Sequence, residues 1–340
     1  MDRRLTEYVR AGGTLGSLAK RPKTCRASAP FPCDPAKVFA KQVDALALRL
    51  KRIGVRSVVV GVSGGLDSAL VLLVAFAAFR KLGLPASGIH AYTMPGLGTT
   101  RRTKSNAVLL CEGLGVDFGT IPIAGSVRRH LKDIGHDGRT PDAAYENAQA
   151  RMRTMILMDK ANMLDAIVLG TGDMSEIALG WCTYNGDHMS MFGVNAGVPK
   201  TVVRKVCVWR AGEMMSGKGS EGLKTAARAV LDIVETPVSP ELVKGQKTED
   251  KIGPYELHDF FIWNFCRNGL RRAELRAAAL KRYGGKYGPD VVDRTLETFL
   301  TRIVSQAFKR NCAPDGIKVF PLYFSRDEWW IPSDLPVGTL

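Results

Sequence analysis

Val58-Val59-Val60-Gly61-Val62-Ser63-Gly64-Gly65-Leu66-Asp67-Ser68 reads as a buried strand, a tight loop and the opening of a helix. Consecutive valines suit a strand covered on both faces. The paired glycines let backbone N–H groups close around an anion, and the following helix aims its positive end at the same point. Ser63 and Ser68 add hydroxyl donors. Asp67 would repel phosphate on its own, so its presence asks for a bridging cation, and Mg²⁺ best suits a carboxylate–phosphate site. A glycine pair alone would be only a turn, but the whole string reads as a grip on a phosphate chain. It is not the Walker loop, which needs a Gly-Lys-Ser/Thr ending, and no Gly-x-Gly-x-x-Gly follows a strand.

Outward from this loop, strands and helices alternate. An amphipathic helix over 35–52 precedes the first strand, and an apolar helix over 68–82 follows it. Further strands are predicted at 88–94, 118–123 and 166–170, with helices at 102–115 and 145–163 between them. Gly135–Asp142 is a polar loop. Such alternation predicts an α/β fold with a doubly wound parallel sheet, in which ligands sit beyond the carboxyl ends of the strands. The second half predicts a helical C-terminal region, with helices at 200–211, 221–233, 255–267, 271–283 and 289–310. Residues 1–34 read as a tail or linker, and 35–335 as the domain. The methionines Met152, Met155, Met158 and Met163 on the long helix suit a core or a subunit interface.

The chain has 340 residues, of which 45% are hydrophobic, enough for one large core with an appended helical part. No apolar run reaches transmembrane length, and the amino terminus lacks the apolar region of a secretory signal. The seven cysteines are an odd, widely spaced set without a Cys-x-x-Cys, which predicts reduced thiols and a cytoplasmic location. Net charge is +15, but the basic residues are scattered and no basic stripe is interleaved with aromatics. Nucleic-acid binding is therefore not expected, and phosphate-rich ligands account for part of the charge.

A second constellation runs from Gly170 to Asp187. It places Asp173, Glu176, several hydroxyls, Trp181 and Tyr184 just after a strand. Glu176 can share a cation with Asp67 if the two strand ends are neighbours; otherwise these acids only offset a helix dipole. A third, Asn195-Ala196-Gly197-Val198-Pro199-Lys200-Thr201, puts a lysine in the first turn of a helix, where a bound anion would justify it. Gln246–Leu257 is a polar loop that suits a mobile cover. Ala307–Cys312 with Lys318 forms a basic cluster.

The Ser-Gly-Gly-Leu-Asp-Ser loop resembles the N-type ATP pyrophosphatases, of the adenine nucleotide alpha hydrolase-like fold. Gly170–Tyr184, Glu146–Arg151, Asn195–Lys200, Gln246–Leu257 and Phe308–Arg310 are similar to the synthetase domain of glutamine-dependent NAD⁺ synthetases, over nearly the whole chain. The resemblance implies ATP-dependent amidation of deamido-NAD⁺ through an adenylated intermediate, with AMP and pyrophosphate released and ammonia as nitrogen source. It implies that Gly61, Val62, Ser63, Gly64, Gly65, Leu66, Asp67 and Ser68 hold ATP together with Thr171 and Lys200. Asp67 and Glu176 would serve Mg²⁺, and Asp67, Glu176 and Lys200 would carry the chemistry. Asn147, Glu176, Trp181, Cys182, Thr183, Tyr184 and Lys309 would line the deamido-NAD⁺ site. Family dimers build that site across a subunit interface, so Lys309 is expected to serve the partner's site. The family's amino-terminal glutaminase is absent from this sequence, which implies free ammonia, a separate glutaminase subunit, or a piece of a longer fusion. The Tyr323–Trp330 stretch departs from the family's C-terminal pattern. The alternatives are another amidotransferase of this type, acting on a different carboxylate or a tRNA base, and an inactive nucleotide-binding paralogue.

Overall fold

The structure is a computed structural model that describes residues 30–99, 101–216, 220–236, 248–325, 328, 329, 331 and 333. Most of the expected tail (1–29), Gln246 and Lys247 of the polar loop, and Arg326, Asp327, Trp330, Pro332 and Asp334 lie outside the described residues. Five parallel strands, β1 (Val58–Gly61), β2 (Ile89–Thr93), β3 (Asp117–Thr120), β4 (Ile167–Gly170) and β5 (Phe192–Gly193), form one sheet in the order β3-β2-β1-β4-β5. Val58 stands opposite Ile89 on one side and Ile167 on the other. The strand order reverses beside β1, so the chain leaves a crevice at the carboxyl ends of β1 and β4.

The valine run explains why β1 is central. Val58 and Val60 point into the main core, and Val59 points to the opposite face, against Val168 and Ala161. The main core is covered by α1 (Pro35–Ile53), α2 (Leu66–Leu82), α3 (Arg101–Leu114), α7 (Lys200–Ser216) and α8 (Glu221–Glu235). The opposite face carries α4 (Ala124–Asp133) and α5 (Ala143–Met163). In α2, apolar residues occupy every side of the helix, and Leu70, Leu72 and Leu73 are fully buried. Each contributes about 2 kcal/mol through burial. α1 begins on an Asp34 side chain that accepts the Lys37 N–H at 3.2 Å, and it ends on Gly54 at φ 72°.

The helical second half comprises α6 (Met174–Leu179), α9 (Thr248–Ile252), α10 (Tyr255–Ile262), α11 (Arg272–Tyr283), α12 (Pro289–Ser305) and α13 (Ala307–Arg310), besides α7 and α8. Several boundaries differ from the sequence reading. β3 spans only Asp117–Thr120, although the Ile121 and Ile123 N–H groups still donate to the Thr93 and Pro95 carbonyls at 2.9 and 3.1 Å. The helix expected over 289–310 breaks at Gln306. The one expected over 255–267 loosens into a π-turn at Trp263–Arg267. α4 and β5 were not expected. Within the expected tail, Phe31 is buried between the rings of Trp263 and Phe320, with centroids 4.7 and 5.3 Å away.

Candidate active site at the carboxyl edge of the sheet

The loop after β1 closes on itself. Gly64 takes φ 82°, a conformation a side chain would strain, and the Gly65 N–H donates to Ser63 Oγ at 3.1 Å. Ser68 Oγ donates to the Gly65 carbonyl at 3.1 Å and lies 3.3 Å from Ser63 Oγ. Both hydroxyls thus hold the loop in shape. Asp67 follows in the first turn of α2, facing the end of β4.

β4 leads into the second constellation. Asp173 caps α6, its Oδ1 accepting the Glu176 N–H at 2.8 Å, while Glu176 Oε2 accepts the Asp173 N–H at 3.2 Å. This reciprocal cap fixes both carboxylates. Lys200, at the start of α7, is 3% exposed, and its Nζ donates to Asp67 Oδ2 at 2.6 Å and Glu176 Oε1 at 2.8 Å. Asp173 Oδ2 lies 3.0 Å from the same Nζ, in ion-pair range but outside hydrogen-bond geometry. Three carboxylates from two strand ends therefore surround one ammonium.

The charges are unequal. Burial pushes the Glu176 carboxyl up to about 7, with Lys200 opposing the rise and Asp67 adding to it. Burial raises Asp173 well above the ordinary carboxyl range, again against Lys200. For Lys200 burial disfavours the charge, but Asp173, Asp67 and Glu176 together outweigh it and raise the ammonium well above its usual value. One lysine cannot balance three acids. The carboxylates of Asp67, Asp173 and Glu176 can bring one oxygen each within 4.8 Å of one another, and Asp67 Oδ1 and Asp173 Oδ2 are buried without a hydrogen-bond partner. An all-oxygen set of crowded carboxyls with orphaned oxygens fits a hard divalent cation such as Mg²⁺, which would favour their ionised forms.

One cleft of about 400 Å³ joins these groups to the expected dinucleotide residues. Gly61, Val62, Ser63, Asp67, Ser68, Thr171, Glu176, Asn147, Trp181, Cys182, Thr183 and Lys309 line it. Leu66 is buried in the core and can offer only its backbone. Gly64, Gly65 and Lys200 sit behind the lining. Asn147 Oδ1 accepts the Thr183 hydroxyl at 2.8 Å, and the Thr183 N–H donates to Asp187 Oδ1 at 2.7 Å. The Arg302 guanidinium lies 5.0 Å over the Trp181 ring. Tyr184 does not line the cleft: its ring stacks on His188 at 5.4 Å and leans on Phe308, leaving the hydroxyl 3.7 Å from Cys312 Sγ. Lys309 Nζ donates to the Gly180 and Cys182 carbonyls of its own chain, at 2.9 and 2.7 Å. These bonds hold Lys309 against α6, on which α13 packs within the same chain.

A pyrophosphatase loop and a Gly-Thr-Gly-Asp-x-Ser-Glu segment meeting at adjacent strand ends decide the affiliation. The chain belongs to the NAD synthase family. The family model matches residues 38–286. The glutamine-dependent NAD(+) synthetase of Mycobacterium leprae is 38% identical over 344 residues, covering 90% of this chain and 50% of that protein. That of Thermotoga maritima is 29% identical over 305 residues, covering 89% of this chain and 48% of its own length. The chain thus spans about half the length of these curated relatives. Among solved structures, a glutamine-dependent NAD(+) synthetase from Cytophaga hutchinsonii shares the fold with a TM-score of 0.72 and 16% identity, over 88% of this chain and 54% of that one. An NH3-dependent NAD synthetase from Campylobacter jejuni matches with a TM-score of 0.52 and 21% identity, over 81% and 96%.

Within this synthase-family frame, the sequence reading left three groups out of the site. Asp173 completes the acid set. Asn195, fully buried, donates from Nδ2 to the carbonyls of Asp67 at 3.0 Å and Thr171 at 3.2 Å, tying the two strand-end loops together. Arg302 covers Trp181 and donates to the Leu179 and Gly180 carbonyls. Asp173 and Asn195 both lie inside motifs already singled out, whereas Arg302 had no local signal.

Proposed function

We propose that this chain forms NAD⁺ by ATP-dependent amidation of deamido-NAD⁺. One observation carries the reading: Ser63, Asp67 and Ser68 of the loop, Glu176 of the acid set and the Asn147–Trp181–Thr183 wall line a single cleft, with Lys200 bonded to Asp67 and Glu176 from behind it. A carboxylate is a poor electrophile. Its oxygen attacks the α-phosphorus of ATP, the α–β bridge breaks, and an acyl-adenylate and pyrophosphate result. Ammonia then adds to the acyl carbon, a proton is lost, and AMP departs with the carboxyl oxygen. In this reading the protein orients the reactants and neutralises phosphate charge.

Ser63, Gly64, Gly65 and Ser68 hold the pyrophosphate, with Thr171 and the backbone of Gly61, Val62 and Leu66 along the nucleotide. Asp67, Asp173 and Glu176 hold Mg²⁺, which when bound offsets charge on the leaving pyrophosphate. Lys200 offsets the mutual repulsion of the acids and supplies positive charge beside the phosphates. Asn147, Trp181, Cys182, Thr183 and Lys309 receive the dinucleotide, with Glu176 at the shared border and Tyr184 at its outer edge. The working unit is a homodimer; Met155 and Met163, at 53% and 75% exposure on α5, supply apolar surface for it. Sedimentation should give twice the chain mass.

The purified chain, given deamido-NAD⁺, ATP, Mg²⁺ and ammonium, should yield NAD⁺, AMP and pyrophosphate in equal amounts. ADP in place of AMP would overturn the mechanism. Asp67→Ala should abolish turnover, and retained activity would remove the carboxylate from its role. Replacing ammonium by glutamine, with and without an added glutaminase, identifies the nitrogen source.

A further inference from the structure

α10 holds an aspartate inside an apolar run, Leu257-His258-Asp259-Phe260-Phe261-Ile262, and the fold buries it to 3% exposure. A carboxylate is costly to bury unless its oxygens are hydrogen-bonded. Among the described residues, each donor that Asp259 finds belongs to the frame of the site. Its Oδ1 accepts the Ser175 hydroxyl. Its Oδ2 accepts the Thr201 N–H at 2.8 Å and the Thr201 hydroxyl at 2.6 Å. Ser175 Oγ in turn accepts the Lys200 N–H at 2.9 Å.

Ser175 lies between Asp173 and Glu176 on α6, and Thr201 adjoins Lys200 on α7. One carboxylate therefore sets the spacing between the helix that carries two acids and the helix that carries the lysine. It also places negative charge at the amino end of α7, where the helix dipole favours it. Tyr255, one turn earlier on α10, lays its ring 5.3 Å from Lys200 Nζ.

We propose that Asp259 is a positioning residue: acting through Ser175 and Thr201, it holds Lys200 in register with Asp67, Asp173 and Glu176. The kinetic consequence rests on the amidation reading; the placement of Lys200 does not. Asp259→Asn is the matched perturbation. Asparagine keeps the shape and can still accept from Thr201, but its amide presents N–H to Ser175, whose proton loses its acceptor.

Two readouts test this. In ligand-free protein, acetic anhydride labelling followed by mass spectrometry should find Lys200 protected in the wild type. In Asp259→Asn it should be labelled about tenfold faster, the equivalent of one lost charge-assisted hydrogen bond, with Lys41 and Lys318 unchanged. In kinetics, Asp259→Asn should lower kcat for AMP formation about a hundredfold with little change in the KM for deamido-NAD⁺. Added to Lys200→Met, it should cost little more. A folded Asp259→Asn with wild-type labelling of Lys200 overturns the proposal, as does full additivity with Lys200→Met. If Asp259→Asn fails to fold, Thr201→Val should give the same selective labelling in smaller degree, and unchanged labelling there overturns the proposal. If the wild type forms no AMP, the amidation reading falls while the labelling result still decides the role of Asp259.

Discussion

Lys200 is the residue on which the site depends. Its ammonium contacts all three acids, and breaking a buried ion cluster by removing one sign is strongly destabilising. Lys200→Met should lower the unfolding free energy by about 3–5 kcal/mol, read by urea denaturation near neutral pH. The sign of the pH effect follows. Without the lysine the Asp173 and Glu176 carboxyls, already raised by burial, rise further above their unfolded values, so the folded variant binds protons that the unfolded chain releases, and its stability is lost as pH rises. The deficit should therefore shrink between pH 8 and pH 6, and Mg²⁺ should reduce it at pH 8. A deficit that grows on acidification would contradict the cluster. In the sequence, Lys200 already stood out as a lysine placed against a helix dipole. Asp173 did not, because a cap fully accounts for an aspartate three residues before a glutamate. Only the meeting with Asp67 reveals its second role.

Among the elements, α10 and the turn after β5 brace the site. His258 on α10 donates from Nε2 to the Ile252 carbonyl at 2.8 Å, with Nδ1 buried and without a partner. Burial lowers its pKa from 6.5 to about 4. The folded chain then resists a proton that the unfolded chain accepts, so stability is full above about 6.5 and is lost as pH falls toward 4. The wild type should lose roughly 2 kcal/mol between pH 7 and pH 5 from this group alone, and His258→Gln should flatten that slope in denaturation curves. Asn195→Ala leaves the Asp67 and Thr171 carbonyls without their amide donor and should cost about 2–3 kcal/mol, with ATP binding weakened more than dinucleotide binding. The central elements were legible because their signals are local: a valine run, glycine stops, apolar periodicity. β5 has two residues, too few to carry an alternation, and is held by the pairing of Leu169 with Phe192. The break at Gln306 arises from tertiary packing of α13 on α6, which no period in the sequence records. The burial of Asp259 was hinted at by a charged residue inside an apolar run, but its partners are 58 and 84 positions away.

At the scale of the molecule, the family affiliation and the parallel sheet were readable from one loop and one long motif. The assembly of the site was not, because it rests on the order of strands. β1 and β4 lie side by side although the chain inserts two other strands between them. The bond from Lys200 to Asp67 spans 133 positions. The phosphate loop can take shape locally, whereas the acid–lysine cluster exists only after β4 has docked beside β1 and α7 has closed over it. Contacts of such sequence separation form late, since the loop-closure entropy must be met first. If the cleft binds nucleotide as proposed, affinity for it becomes a sensor of completed folding. On the proposed function, a chain still growing on the ribosome would carry its glycine loop long before it could grip a magnesium nucleotide, and so would not sequester ATP until the whole sheet was in place.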